Sequence, residues 1–391
     1  MFPPEESPGH PRPAAAAVEI APLTGLRGIA AAWVALMHLW LALGSPAFAL
    51  TAGPATLDFT ALAATGYFGV DLFFVLSGFL IGHRFVAAAI SGERAPDLGR
   101  FWLRRCRRVL PAYYVQLVIL LVASLAWTGS LGTDWATIAS HFAMLFLLVP
   151  PDAVPLNGVY WTLPVEWFSY AMVPILAWLL RSARVGYVLL ALLVWVVTFR
   201  MLCLETFLEG RETWHTDYGS IMHLRSRIDQ FFFGMLAAYA YIRLPEKRRR
   251  GALMLALGLV ATLALAFGVH HLVPDWLTAG RAPWLFVHYT ATGAALALVV
   301  YGAAGDGRFA QRALASAPLL WLGAISYSLY LWHGVVFALP AKLGVETWPH
   351  AHRWVAAAAL VALALVVSWA SYRFVEMRFY APSTSPWRKK A

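Results

Sequence analysis

Long apolar runs recur along the whole of this 391-residue chain and leave little sequence between them. A helix needs roughly 20 apolar residues to cross about 30 Å of hydrocarbon, and most of these runs approach that length. Hydrophobic residues make up 60% of the sequence and charged residues only 13%, too few to cover the surface of a water-soluble domain. The sequence therefore predicts an all-α fold, a polytopic integral membrane helical bundle of about ten transmembrane helices.

The apolar runs that are candidate spans cover residues 24–44, 66–86, 109–127, 137–149, 164–180, 185–203, 228–243, 251–269, 284–304, 315–340 and 354–375. The run at 137–149 is short, contains His141 and precedes the Pro-rich segment 150–155. These features favour a re-entrant or surface element over a span, which would leave ten spans.

Basic residues are concentrated in short clusters beside the apolar runs, at 100–108, 181–184, 243–250, 308–312 and 388–390. With ten spans, all of these clusters share one side of the membrane, and the positive-inside rule assigns that side to the cytoplasm. Both termini are then cytoplasmic. The clustering also accounts for the net charge of +10 without nucleic acid, which we do not expect as a partner.

The two ends of the chain differ from the apolar region between them. Residues 1–22 are rich in Pro, Ala and acidic groups and lack the features of a signal peptide, so we expect a disordered cytoplasmic tail. Residues 381–391 form a basic cytoplasmic tail in this interpretation, and residues 23–380 form one membrane domain. Two cysteines, Cys106 and Cys203, lie far apart in sequence, so neither a disulfide framework nor a metal site is expected.

Ionisable residues inside predicted spans are informative, because lipid excludes charge at a cost of a few kcal/mol or more unless the group faces a wet or protein-lined interior. Arg27 and His38 lie eleven residues apart on the first span and therefore share one helical face. A rise of about 1.5 Å per residue separates them by roughly 16 Å, placing Arg27 at the cytoplasmic edge and His38 near mid-membrane. His38 is a candidate for catalysis, and a hydrogen-bonded packing role is its alternative.

Two aspartates lie near the ends of predicted spans. Asp71 is near the outer end of the second span, where a carboxylate needs a partner such as a buried Arg or His. Asp229 follows Arg227 at the start of another span, where an internal ion pair and direct chemistry both remain open.

A basic cluster of four arginines, Arg104, Arg105, Arg107 and Arg108, lies at the inner end of the third span. Most such clusters are topology anchors. An arginine fork also matches phosphate geometry, so a phosphate-bearing ligand that arrives from the cytoplasm is a second interpretation.

Helical spacing groups other polar residues into stripes. Glu166 and Tyr170 fall at i and i+4 and should face the protein interior. Ser326, Tyr330 and His333 share one face in the outer half of the ninth span. A second intramembrane histidine makes a chance placement less credible.

Seven segments in order resemble the bacterial acyltransferase 3 family, multi-span O-acyltransferases that modify extracytoplasmic acceptors. They are the Arg27-to-His38 spacing, the run Phe73–Phe79, the pair Arg105 and Arg108 before Pro111, Trp161–Tyr170, Arg227-x-Asp229, Ser326–His333 and Tyr372–Glu376. The resemblance covers the chain from about Leu23 to Tyr380. Any one segment would be weakly specific, whereas the ordered set is specific.

The resemblance implies that His38 is the catalytic base and that Arg27, Arg105 and Arg108 serve an acyl-CoA donor, usually acetyl-CoA. Histidine suits this role because a general base should titrate near the operating pH. The candidate catalytic residues are His38, Glu166 and His333. The candidate substrate-binding residues are Arg27, Arg105, Arg108, Asp71, Asp229, Ser326 and Tyr330.

The chain departs from the family's pattern in three places. A second carboxylate and a glutamine are common where this chain has Trp167 and Phe168, and a basic residue and Pro are common where it has Met377-Arg378-Phe379. The family often adds a C-terminal esterase-like domain, and its absence from this sequence implies a stand-alone acyltransferase.

Three functional classes are compared. The first is an enzyme of the bacterial inner (plasma) membrane that moves a short acyl group from acyl-CoA to a hydroxyl of a saccharide or another extracytoplasmic or small-molecule acceptor. The alternative is a proton-coupled transporter, since buried His, Asp and Glu would also serve a proton relay, although the paired interrupted spans that favour transport are not found in the sequence. A membrane scaffold without chemistry is disfavoured by the number of intramembrane ionisable groups.

Overall fold

Helices make up most of the part of the chain that the structure describes. The computed structural model describes residues 20–52, 55–147, 155–181, 185–208, 224–244, 250–272, 283–305, 307–345 and 352–380. Within these residues, 7 helices are long and apolar enough to cross a membrane, and a bent helix pair raises the number to 8. The prediction of a helical membrane protein is confirmed at this level.

The elements in chain order are α1 (Ala21–Ala42), β1 (Ala49–Ala52), β2 (Ala55–Asp58), α2 (Thr60–Ala64), α3 (Phe68–Ser91), α4 (Leu98–Thr128), α5 (Trp135–Phe142), α6 (Thr162–Leu180), α7 (Val185–Leu208), α8 (Leu224–Arg243), α9 (Gly251–Leu272), α10 (Pro283–Ala304), α11 (Arg308–Leu314), α12 (Ala317–Ala324), α13 (Ser326–Lys342), α14 (Arg353–Ser371), a π-helical turn (Tyr372–Glu376) and α15 (Met377–Phe379). The predicted tails at 1–22 and 381–391 lie outside the described residues, except that Ala21 and Pro22 begin α1.

The apolar run at 137–149 contributes only the short helix α5. Its 8 residues rise about 12 Å, well short of the about 30 Å of hydrocarbon. The side chain of Asp134 caps the helix by accepting from the backbone N–H of Thr137, and the Tyr113 hydroxyl donates to the carbonyl of His141. This segment therefore packs against α4 in the manner of a re-entrant or surface element, while residues 148–154 lie outside the described chain.

One hairpin departs from the all-α expectation. Strands β1 and β2 pair antiparallel with Ala49 opposite Asp58, and the Thr60 hydroxyl accepts a hydrogen bond from the backbone N–H of Phe48 at 2.8 Å. Strands of four residues are too short to produce a recognisable alternating pattern in the sequence. In the sequence, the hairpin follows the C-terminal end of α1, whereas Arg27 lies near the N-terminal end of that helix.

The predicted span at 315–340 is broken in its middle. Helices α12 and α13 meet at Ile325 with a bend of 71°. The Ser326 hydroxyl donates to the carbonyl of Gly323 at 2.8 Å, which satisfies one of the carbonyl groups that the end of α12 leaves without a helical partner. The apolar run at 315–340 predicted the span but not the bend, because side-chain hydrogen bonds can support a bend without interrupting the run.

Helix α1 packs at the centre of the bundle against α3, α12 and α13. Close approach to α12 requires glycine, since a Cβ at Gly323 would lie 2.0 Å from the carbonyl oxygen of Thr24. Helices α3 and α8 also pack closely at Gly78, because a Cβ there would lie 2.0 Å from the carbonyl oxygen of Phe231 on α8. These contacts fix α1 and α3, which carry several of the predicted site residues.

Candidate active site

A cavity of about 330 Å³ lies among α1, α3, α4, α6 and the junction of α12 with α13. Its polar wall consists of Thr24, Arg27, Ser77, Arg105, Arg108, Thr162, Glu166, Tyr170, Tyr327, Tyr330, Tyr372, Glu376 and Tyr380. Five predicted site residues thus share one cavity: Arg27, Arg105, Arg108, Glu166 and Tyr330. They come from four different helices, so only the fold brings them together.

Helix α4 continues through the arginine cluster and divides its side chains between two environments. Arg105 and Arg108, at i and i+3, are half-buried and line the cavity, whereas Arg104 and Arg107 are exposed. The Arg108 guanidinium lies 4.9 Å from the centre of the Tyr380 ring. Helical geometry therefore selects two of the four arginines for the cavity.

Two carboxylates face these arginines. Glu166 accepts a hydrogen bond from the Ser77 hydroxyl at 2.8 Å. Glu376 accepts a hydrogen bond from the Ser328 hydroxyl and is buried. Hydroxyl donors thus hold both carboxylates in place.

We call Arg27, Arg105, Arg108, Glu166 and Glu376 the cavity cluster. In the described part of the chain, no nitrogen of its arginines lies within 4.0 Å of either carboxylate, so the cluster contains no ion pair. Three guanidinium groups and two carboxylates also leave an excess of one positive charge. Such an arrangement can accept an anionic ligand.

The last helix changes geometry where it reaches the cavity. Residues Tyr372–Glu376 form a π-helical turn, and the side chains of Tyr372 and Glu376 are both buried. Wide turns of this kind occur frequently at functional sites. Sequence reasoning noted this segment only as part of the family resemblance and missed Glu376 as a site residue. An ionisable residue at the end of an apolar run was the available signal.

His38 and His333 lie next to each other, although 295 residues separate them in the sequence. The Nε2 atom of His333 is 3.2 Å from the Nδ1 atom of His38, and the ring centres are 4.9 Å apart in an edge-to-face arrangement. His333 is fully buried and His38 is partly exposed. The structure therefore joins the two predicted catalytic histidines into one pair.

Tyr330 connects the histidine pair to the cavity. Neither imidazole lines the cavity itself, but Tyr330 does, and its ring centre is 5.9 Å from that of His333. The Thr162 hydroxyl donates to the Tyr330 oxygen at 2.9 Å, and the Tyr330 hydroxyl donates to the carbonyl of Val159 at 3.1 Å. The ring is thus held against the N-terminal end of α6.

Ser326, Asp71 and Asp229 lie outside the cavity lining. The hydroxyl of Ser326 is fully buried and bonded to Gly323 at the helix break. As substrate-binding residues these three remain predictions, and the structure gives each of them another partner.

Both aspartates belong to a second buried group of charges, which we call the paired cluster: Asp71, Arg200, Arg227 and Asp229. Arg227 approaches Asp71 at 3.1 Å, and Arg200 approaches Asp229 at 3.2 Å. Arg227 is thus the partner expected for Asp71, while Asp229 pairs across helices and not with its sequence neighbour, because residues i and i+2 point to different helix faces. Sequence reasoning missed Arg200, although an arginine inside the run 185–203 was a visible signal.

A third group, separate from the cavity, could hold a metal ion. One ligand atom from each of Asp58, His270 and His271 lies within 4.8 Å of the others. The group joins the end of β2 to the C-terminal turn of α9. The sequence analysis did not identify it because the residues are distant in the chain.

Comparisons with known proteins identify the family. The model of the acyltransferase 3 family, described as an acyltransferase domain, matches residues 20–373. No solved structure matches the chain.

Relatives of the chain include proteins named for acyl transfer. BcsY of Komagataeibacter xylinus, whose name describes a membrane-bound transacylase, is 27% identical over 377 residues, which cover 90% of this chain and 81% of BcsY. The peptidoglycan O-acetyltransferase OatA of Listeria monocytogenes is 23% identical over 80% of this chain, and the O-acetyltransferase OatA of Staphylococcus aureus is 24% identical over 80%. The chain spans only 51% and 52% of the length of these two OatA proteins.

The family match begins before α1 and ends inside the turn that carries Glu376, so it includes every cavity-lining residue except Glu376 and Tyr380. The chain therefore belongs to the acyltransferase 3 family and is a membrane acyltransferase.

Proposed function

We propose that this acyltransferase moves a short acyl group, expected to be acetyl, from acyl-CoA to a hydroxyl of a saccharide or another extracytoplasmic or small-molecule acceptor. The observation that carries the proposal is the cavity cluster, whose arginines have no ion-pair partner in the described chain and face a cavity bounded by Tyr330. The Tyr330 ring in turn contacts the His333 ring of the histidine pair, so Tyr330 connects the proposed anion site to the proposed base.

The arginine end of the cavity suits the phosphate groups of acyl-CoA. Guanidinium groups donate hydrogen bonds in a planar fork that matches phosphate oxygens. The exposed neighbours Arg104 and Arg107 mark this end of α4 as cytoplasmic by the positive-inside rule, and acyl-CoA is supplied from the cytoplasm. Glu166, held by Ser77, lines the same cavity and remains a candidate catalytic residue.

His38 acts as the general base in the proposed reaction. It takes the proton of the acceptor hydroxyl while the hydroxyl oxygen attacks the thioester carbonyl of the donor. Collapse of the tetrahedral intermediate breaks the carbon–sulfur bond. Coenzyme A leaves as a thiolate and takes the proton back from the His38 imidazolium, while the acyl group remains on the acceptor as an ester.

The relatives support the nature of the transferred group. Both OatA proteins are named O-acetyltransferases, which favours an acetyl group and an oxygen acceptor for this chain. This chain spans only about half of each OatA protein, so the acceptor named for OatA does not carry over and has to be determined directly.

We infer ten transmembrane spans with both termini in the cytoplasm of a bacterium. The 7 single spans and the bent pair α12 and α13 give 8. Helices α8 and α10, with 20 and 22 residues, are long enough to add two more, and the charges of α8 at Arg227 and Asp229 are paired inside the bundle.

The function is tested by supplying labelled acetyl-CoA to membranes that contain the protein and identifying the acylated product by mass. His38→Gln keeps approximate size and hydrogen bonding but cannot act as a base, so turnover should fall about 10²- to 10⁴-fold. The exposed His352 provides the matched control, and His352→Gln should retain full turnover. Turnover close to wild type in the His38 variant would refute the base and favour a packing role.

The topology is tested by cysteine labelling of intact cells in a variant without native cysteines. Gly158 is exposed with open space around it, and Lys247 lies in the predicted cytoplasmic loop at 243–250. An impermeant reagent should modify Gly158→Cys and leave Lys247→Cys unmodified. The reverse pattern would contradict the ten-span arrangement.

A further inference from the structure

We propose that His333 is a positioning residue that, together with the backbone carbonyl of Val34, holds the hydrogen of His38 on Nδ1, so that the Nε2 atom of His38 is the basic atom of the site. The inference rests on the proposed function, in which His38 takes the proton of the acceptor. It assigns His333 a role distinct from contact with either substrate.

The partners of His333 determine which of its ring nitrogens carries hydrogen. Its Nδ1 atom lies 2.8 Å from the carbonyl oxygen of Leu329, which can only accept. Nδ1 of His333 is therefore the donor. The ring is fully buried and has no carboxylate among its hydrogen-bond partners in the described chain, so it is neutral and its Nε2 atom has a free lone pair.

That lone pair is one of two acceptors that face the Nδ1 atom of His38. Nε2 of His333 lies 3.2 Å from Nδ1 of His38, and the carbonyl oxygen of Val34 lies 3.0 Å from the same Nδ1 atom. Both neighbours are acceptors, so Nδ1 of His38 carries the hydrogen and shares it between them. The neutral His38 ring then has its lone pair on Nε2.

This chain of hydrogen bonds also acts during the reaction. When Nε2 of His38 takes the acceptor proton, the ring becomes positively charged and its Nδ1–H bond to His333 strengthens. Bases in other enzymes are oriented in the same way by a third group, commonly a carboxylate. A neutral imidazole performs this task inside the membrane without burying a further charge.

A packing role is the competing explanation for His333. Its ring centre lies 5.9 Å from that of Tyr330 and 6.0 Å from that of Phe337, so an aromatic ring fits this place. The two explanations differ in what a substitution must keep: packing requires ring volume, whereas positioning requires an acceptor near Nε2.

Two substitutions separate these requirements. His333→Gln can place its amide oxygen near the Nε2 position and accept from His38, whereas His333→Phe fills the volume without an acceptor. We expect His333→Phe to lower kcat about 10- to 100-fold, less than loss of the base itself, and His333→Gln to restore kcat to within about fivefold of wild type. The KM for acetyl-CoA should stay unchanged in both, because neither histidine lines the cavity.

Thermal unfolding in detergent shows whether each variant folds, and His333→Met replaces His333→Phe if the latter does not. A Phe or Met variant with wild-type kcat, or a Gln variant as impaired as the Phe variant, would overturn the positioning role. The double variant with His38→Gln gives a second readout. Once the base is absent, His333→Phe should cost little further turnover, whereas an additive loss would indicate packing.

The same measurements keep this inference apart from the proposed function. Wild-type turnover in His38→Gln alone would remove the base and with it the proposed mechanism. Reduced turnover in His38→Gln together with wild-type turnover in His333→Phe would leave the mechanism intact and overturn only the role of His333.

Discussion

The cavity cluster and the paired cluster both bring arginines and carboxylates together inside the bundle, yet they differ in burial and in how their charges are arranged. In the paired cluster each carboxylate meets an arginine, at 3.1 Å for Asp71 and 3.2 Å for Asp229. Thr290 adds a hydroxyl hydrogen bond of 2.6 Å to Asp229. In the cavity cluster the carboxylates are held by hydroxyl groups, and the arginines contact aromatic rings.

This difference distinguishes a group of charges that supports the fold, the paired cluster, from one that can bind a ligand, the cavity cluster. Buried charges that neutralise one another hold helices together and leave nothing for a ligand. Half-buried arginines without an ion-pair partner, as in the cavity cluster, carry a desolvation cost that a bound anion would offset. The cavity cluster is therefore the better candidate for ligand binding, although both groups would look alike in a count of intramembrane charges.

The largest expected effect concerns the paired cluster. Asp229→Ala leaves Arg200 buried without its carboxylate, which should lower the free energy of unfolding by about 3–5 kcal/mol. Unfolding of the protein in detergent measures the loss. The double variant Asp229→Ala with Arg200→Leu should recover much of it, since no uncompensated charge remains. A single variant as stable as wild type would show that the pair does not support the fold.

A smaller effect is expected in the cavity cluster. Arg105→Lys with Arg108→Lys keeps both charges but removes the guanidinium forks, so the KM for acyl-CoA should rise about tenfold while the stability of the protein changes little. The matched control is Arg104→Lys with Arg107→Lys on the exposed face of the same helix. If both double variants have the same KM for acyl-CoA, Arg105 and Arg108 act only as topology anchors, like the other arginines of the basic cluster.

The smallest expected effect tests whether negative charge in the cavity cluster weakens donor binding. Glu376→Gln removes a negative charge beside the cavity arginines, so the KM for acyl-CoA should fall on the order of threefold at low ionic strength. Asp229→Asn, the matched change in the paired cluster, should destabilise the protein and leave donor KM unaltered. A rise in donor KM for Glu376→Gln would mean that Glu376 holds an arginine in place for the ligand.

Local sequence patterns predicted the parts of this protein that depend on single helices. The helical spans follow from apolar runs, whereas Arg105 and Arg108 were singled out among the four arginines only by the family resemblance. The contact of His38 with His333 and the pairing of Arg200 with Asp229 join distant helices, and one sequence without alignment contains no measure of such distances. The bend at Ile325 escaped prediction for a related reason, because both halves remain equally apolar.

The uninterrupted helix α1 sets a fixed distance between two residues of the proposed site. Arg27 and His38 lie on this one rigid element, and eleven residues of α-helix fix their separation along its axis at roughly 16 Å. A donor such as acetyl phosphate, in which the phosphate adjoins the acyl carbon, is too short to bind Arg27 and present its carbonyl to His38. In the proposed reaction, this separation would favour carriers that hold phosphate at one end of a long arm and the acyl group at the other.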